Sequence, residues 1–142
     1  YNMSDPEAAL PPELASRPHV RLDVKIEEEL FSMSADEQAE LGLSSKIGDL
    51  IRETYSLLGL MTFFTTGETE TRGWTVVQGS TAPLAGAAIH TDFKDRFIRA
   101  EVINWEALLS AGSWSAAREK GTLRLEGKDY VVQDGDVMVF RV

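Results

Sequence analysis

His90 and Asp92 stand two residues apart in Ile89-His90-Thr91-Asp92-Phe93. An imidazole beside a carboxylate can move a proton or ligate a metal, but either task needs a third partner. The chain holds no cysteine and one other histidine, His19. No serine sits in a nucleophile-elbow setting. The plainer role, a histidine at a helix end bonding helix carbonyls or loop backbone, needs no third partner and is preferred. Just downstream, Phe93, Lys94, Arg96, Phe97 and Arg99 interleave rings and cations. Stacking plus charge is how a sheet takes up single-stranded RNA. The opposing reading buries the rings and leaves the cations at the surface. Burial suits Phe97, whose neighbours alternate, so Lys94, Arg96 and Arg99 stay as a contact face, joined by Lys128 in a turn. Gly121 and Gly127-Lys128 imitate a phosphate loop, but five residues separate the glycines where four are required, and Asp129 follows the lysine.

The elements that must position these residues centre on Gly86 to Trp105, which changes period halfway along. Ala85, Ala87, Ala88 and Ile89 suit a short helix. From Phe97 the pattern alternates, with Ile98, Ala100, Val102 and Asn104 on one side and Phe97, Arg99, Glu101 and Ile103 on the other, which reads as a strand. Before this stretch, Met61 to Thr66 and Arg72 to Val77 form a hairpin around Gly67-Glu68, and Thr81 with Pro83 starts a helix. After it come short helical turns at Trp105–Leu109 and Ser115–Lys120, then strands at 122–126, 130–132 and 137–142, with turns at Gly127-Lys128 and Asp134-Gly135. Two strands, a helix, then further strands is the order of a ubiquitin-like β-grasp, an α+β fold.

Upstream, Pro6, Pro11, Pro12 and Pro18 make a loop. His19 to Val24 alternates and reads as a strand. Lys25 to Met33 reads as a helix with Ile26, Leu30 and Phe31 on one face. Ser34-Ala35-Asp36-Glu37 has capping-box form and starts a helix that ends at Gly42. Ser44 or Ser45 caps the next helix, whose stripe of Ile47, Leu50, Ile51, Tyr55 and Leu58 reads as core. The expected divisions are therefore 1–33, 34–60 and 61–142.

The chain has 142 residues and a net charge of −9. Residues 1–61 carry 5 basic and 12 acidic side chains, and residues 62–142 carry 9 and 11. Acidity thus sits in the N-terminal part, which argues against strong non-specific binding to nucleic acid by the whole chain. No apolar run approaches the ~20 residues that span a bilayer. With no cysteine for disulfides or thiol chemistry and only two histidines, neither a disulfide framework nor a zinc site is expected, and a cytosolic compartment is the default.

Three ordered blocks carry a family resemblance: Ile89–Phe93, Phe97–Ile103, and Glu126-Gly127-Lys128-Asp129-Tyr130-Val131-Val132-Gln133-Asp134-Gly135-Asp136-Val137-Met138. They resemble the C-terminal domain of the YchF (Obg-like) ATPases, a TGS domain of the kind also found in threonyl-tRNA synthetases and SpoT-type enzymes. The resemblance runs from about Met61 to Val142, with the helix before it. It implies a β-grasp preceded by a helical segment and a remnant of an α/β P-loop NTPase domain. It implies RNA or ribosome contact, docking on the protein's own NTPase domain, and ATP with magnesium in the full-length protein. His90, Thr91, Asp92 and Phe93 are then a family motif, read as structural. Asn2-Met3-Ser4-Asp5 gains meaning in this light, because its N-x-x-D spacing is the base-reading motif of GTPase-like folds. Asn2, Met3 and Asp5 become a base-contact remnant, where Asp5-Pro6 alone would read as a turn. Asp23-Val24 departs from the small-residue turn of the family.

A chain opening at Tyr1 reads as a piece of a longer protein. It lacks a phosphate loop, so no cofactor and no catalysis are expected of these residues themselves, and neither membrane nor DNA is an expected partner. The rival reading is an intramolecular or protein-docking domain that regulates the ATPase site without touching RNA.

Overall fold

The computed structural model describes residues 1–2, 8–67 and 69–142. They divide into two compact units, Tyr1–Leu58 and Gly59–Val142.

In the first unit a 3-10 turn at Pro12–Leu14 precedes three helices, α1 (Val24–Phe31), α2 (Ala35–Glu40) and α3 (Ile47–Leu57). The strand expected over His19–Val24 is reduced to one parallel bridge between Asn2 and Leu22. The reason is local. Asp23 accepts the N–H groups of Lys25 and Ile26 at 2.9 and 3.3 Å, and this N-cap starts α1 early. Of the apolar face expected on α1, only Leu30 is buried, and Phe31 is 92% exposed. The capping box of Ser34 and Glu37 forms as expected, and its backbone and side-chain bonds hold the Glu37 carboxyl below the ordinary glutamate value. Gly42 ends this segment with a φ of 64°. Glu27 is not merely a solvated charge, because it accepts Ser45 Oγ–H at 2.6 Å and Lys46 N–H at 2.7 Å. Ser45 Oγ in turn accepts Ile47 N–H at 3.2 Å, so the start of α3 is tied to α1. The stripe on α3 is not core, for the helix has no buried residue.

The second unit is a β-grasp. Its strands are β1 (Leu60–Thr66), β2 (Thr71–Val77), β3 (Arg99–Asn104), β4 (Arg124–Glu126) and β5 (Asp136–Arg141), in the order β2-β1-β5-β3-β4. Its helices are α4 (Ala82–Ala87), α5 (Thr91–Asp95), α6 (Trp105–Ala111) and α7 (Trp114–Glu119). β5 lies parallel to β1 and antiparallel to β3, and all other pairings are antiparallel.

Alternation along the strands sends side chains to two faces, and both are covered. Met61, Phe63, Val76, Ala100, Val102 and Met138 meet Ala82 and Ala85 of α4 in the larger core. There the Phe140 ring stands 5.9 Å from Phe63, 5.9 Å from Phe93 and 6.2 Å from Phe97, at tilted and edge-on angles suited to aromatic pairs. The opposite face buries Ile103 and Val137 against Ala117 of α7, with Leu108 and Trp114 packed alongside. The sequence pattern leads to one covered face; small apolar residues on α6 and α7 add the second.

Residues 127–136 are stitched down. Val131 bridges Thr81 without forming a strand. Gly135 takes a φ of 82°, donates to Thr62 O at 2.8 Å and accepts Trp105 N–H at 3.0 Å. A Cβ there would stand 2.6 Å from the Trp105 ring, so glycine is required twice over. Asp136, 2% exposed, accepts Tyr130 Oη–H at 2.7 Å, Gln133 N–H at 2.9 Å and an Arg124 guanidinium N–H at 3.4 Å. Burial, and then the bond to Asp136, drive the Tyr130 phenol well above its ordinary value. The turn at 134–136 is thus a structural clamp and not a free contact surface. Replacing Asp136 with Ala leaves the Gln133 N–H unsatisfied and should cost about 1–3 kcal/mol. Urea unfolding of the variant would show it, and an unchanged midpoint would mean that Asp136 clamps nothing.

Candidate functional site

Strand register decides which of the candidate cations come together. Arg99 opens β3 directly across from Arg141 on β5, and Ala100 faces Glu126 on β4. Arg99, Arg141 and the Gly127-Lys128 turn therefore share one end of the sheet. Arg96, the C-cap of α5, leads into the same end, and Lys94 lies in the last turn of α5. Lys94, Arg96, Arg99 and Lys128 are all exposed, and none forms an ion pair among the described residues. The sheet does not supply stacking rings beside them. Phe97 is buried and Phe93 is half-buried, both against Phe140, and α4 and α5 cover that face. Phe97 is thus core, as its neighbours in the sequence suggest, and the four cations are exposed.

His90 closes one helix and begins the next, for its backbone N–H donates to Gly86 O of α4 at 3.1 Å. It is the N-cap of α5, and its Nδ1 accepts Asp92 N–H at 3.2 Å. The Asp92 carboxylate lies 3.8 Å from the same nitrogen, with both side chains exposed. Thr91 and Asp92 form the first turn and Phe93 drops its ring on Phe140, so the motif positions the helix.

Met3 and Asp5 lie outside the described residues. Asn2 Oδ1 accepts Val24 N–H at 3.1 Å, which ties the start of the chain to α1. The sequence has no phosphate loop, the Asn2 carboxamide oxygen is held by backbone, and no group of three or more His, Cys, Asp or Glu that could hold a metal ion occurs among the described residues. No helix among them is long and apolar enough to cross a membrane.

A second buried charge, besides Asp136, is one the residue types alone did not single out. Glu101 stands mid-strand in β3 between Ala100 and Val102 and is 7% exposed. Its Oε2 accepts Trp114 Nε1–H at 3.1 Å and an Arg118 Nη2–H at 2.9 Å, and its Oε1 accepts an Arg141 Nη2–H at 3.4 Å. The Trp114 hydrogen bond is the chief cause that holds its carboxyl below the ordinary glutamate value, with Arg141 and Arg118 adding to it against the opposing pull of burial. Above this carboxylate opens a groove of about 810 Å³, walled by Leu108, Leu109, Trp114 and Val139 and flanked by Arg118 and Arg141. A glutamate inside an apolar alternation was the sequence signal for it, since a buried carboxylate must find donors. Arg118 and Trp114 become its partners only through the packing of α7, which no local pattern encodes.

A model of the YchF-GTPase C-terminal family, described as a protein of unknown function (DUF933), matches residues 60–142. The chain is 49% identical over 122 residues to a protein named ribosome-binding ATPase YchF from Bacillus subtilis, covering 82% of this chain and 33% of that protein. It is 39% identical over 120 residues to Obg-like ATPase 1 of Gallus gallus, covering 82% and 30%. Among solved structures, the Schizosaccharomyces pombe YchF GTPase superposes with a TM-score of 0.80 at 32% identity, over 86% of this chain and 33% of that one. The chain spans about a third of the length of the curated relatives it matches.

The Glu101 clasp makes a signed expectation about acid. A carboxyl held low in the folded state contributes stability above its unfolded pKa and loses it as pH falls through the folded value. Glu101→Gln should therefore be less stable than the parent near neutrality, and the gap should close between about pH 5 and pH 3. Urea midpoints of both proteins across that range test this. A gap that stays constant would show that the charge on Glu101 does not matter.

Proposed function

Because the chain belongs to the YchF family and contains its C-terminal domain, we propose that it is the RNA- or ribosome-directed binding module of an ATP-driven switch associated with translation. The observation that carries this reading is the set of exposed cations at one end of the sheet. Arg96, Arg99 and Lys128 reach that end from separate elements, and none is neutralised by a carboxylate among the described residues. Unpaired guanidinium and ammonium groups on a rigid scaffold suit phosphate oxygens. With the rings buried, recognition would follow backbone charge and shape more than base identity. Relatives that carry the name ribosome-binding ATPase support the same partner class.

ATP binding and hydrolysis belong, in this proposal, to the full-length protein, because this sequence holds no phosphate loop. Asn2 would sit beside that site as a positioning residue, its parallel bridge to Leu22 being the kind of pairing an α/β domain uses. A cytosolic setting completes the proposal.

Phosphate contacts release counterions, so affinity must fall steeply with salt. Binding of the chain to ribosomes and to a short single-stranded RNA should weaken across a potassium chloride series. Replacing Lys94, Arg96 and Arg99 together with Gln should flatten the slope by roughly one unit for each phosphate no longer neutralised. Binding that ignores both salt and the triple substitution would favour the protein-docking role of this domain instead.

A further inference from the structure

The groove over Glu101 lies on the sheet face packed by α6 and α7 and plays no part in the RNA reading. Its cations are only partly spent. The Arg118 and Arg141 side chains are 60% and 52% exposed, and each gives one nitrogen to Glu101. A guanidinium has five N–H donors in a planar fork, so most of each fork still faces solvent. Two guanidiniums thus flank one carboxylate. Beside this surplus of positive charge stands an apolar wall of Leu108, Leu109 and Val139, with Leu109 71% exposed.

A ligand for this groove must bring apolar side chains and negative charge together. RNA matches it poorly. The one ring in the groove, Trp114, is half-buried with its N–H committed to Glu101. Exposed leucines offer no stacking plane, and bases bind by stacking. Carboxylates on a peptide meet a guanidinium fork bidentately, and a neighbouring leucine or phenylalanine gains by leaving water against the apolar wall. A volume of about 810 Å³ falls within the usual ~300–1,000 Å³ of a ligand-sized cleft.

We propose that this groove is a docking site for an acidic, amphipathic peptide segment of a partner protein. Its apolar side chain lies against Leu108, Leu109 and Val139, and its flanking carboxylates engage Arg118 and Arg141. Glu101 acts as a positioning residue, holding both forks at the rim.

The probe is a fluorescein-labelled synthetic peptide in which Glu and Asp alternate with Leu and Phe, titrated with the full chain and read by anisotropy. A peptide of equal charge with Gly replacing Leu and Phe serves as control, and an unlabelled oligouridylate serves as competitor. Saturable binding of the first peptide and none of the control is expected. The Leu109→Glu variant, changed at an exposed helix position and checked for its fold by circular dichroism, should weaken binding by about tenfold, the effect of disabling one hot-spot side chain. In a proton–nitrogen NMR titration the Trp114 indole N–H should shift, while that of Trp74, on the opposite sheet face, stays in place. Absence of saturable binding, indifference to Leu109→Glu, or a stationary Trp114 resonance would each overturn the proposal. So would displacement of the peptide by oligouridylate with both ligands weakened by Leu109→Glu, because the occupant would then be RNA.

Discussion

A carboxylate buried in the middle of a strand sets the terms for half of this fold. β3 is covered on both sides, with Ala100 and Val102 in one core and Ile103 in the other, and Glu101 keeps only 7% of its surface exposed, at the floor of the groove. A charge in that position is tolerated only when hydrogen-bond donors replace its hydration. The three donors come from α7 and from the far end of β5. The indole N–H of Trp114 and one nitrogen of each of two arginines are committed to this one side chain, beside the apolar contacts of α6 and α7 that build the second layer. The clasp thus ties α7 and the end of β5 to β3 in addition to their apolar contacts.

Much of the β-grasp was legible because its signals are local. The β1–β2 hairpin, the helix opening at Thr81 and the glycine at 135 each rest on residues a few positions apart, as does the capping box at Ser34 in the first unit. The failures share a physical cause. Over His19–Val24 the alternation is genuine, but an Asp that could cap a helix outcompetes a strand with one bridging partner. On α3 the apolar stripe is a true pattern without being core, since periodicity says which residues share a face and not what covers it. Tyr130–Val132 has the β-branched residues of a strand, yet the side-chain clamp around Asp136 claims that segment first.

The candidate site was legible in its charges and not in its geometry. Lys94, Arg96 and Arg99 stand out in the chain because they interleave with phenylalanines, but Phe93 sits in α5 and Phe97 just before β3, and both rings turn inward onto Phe140. Arg141 is invisible as a partner of Arg99 until the β3–β5 register places one opposite the other. Like charges facing each other across a ladder are unfavourable by themselves. Here the Glu101 carboxylate lies one step along the same face and bonds Arg141, which moderates the repulsion.

The position of β5 has a consequence for how the domain comes into being. It is the last strand in sequence order but lies in the centre of the sheet, between β1 and β3. The β1–β2 hairpin can close early. Until β5 follows, however, the inner edge of β1 has no mate, and the ring of Phe63 lacks the Phe140 ring it packs against. During synthesis the growing chain must carry an open strand edge and uncovered aromatic surface through every intervening element. Slow, long-range closure of this kind leaves a nascent chain open to mispairing. For this domain the hazardous interval ends only when β5 slides between its two neighbours, which gives molecular chaperones a defined species to protect.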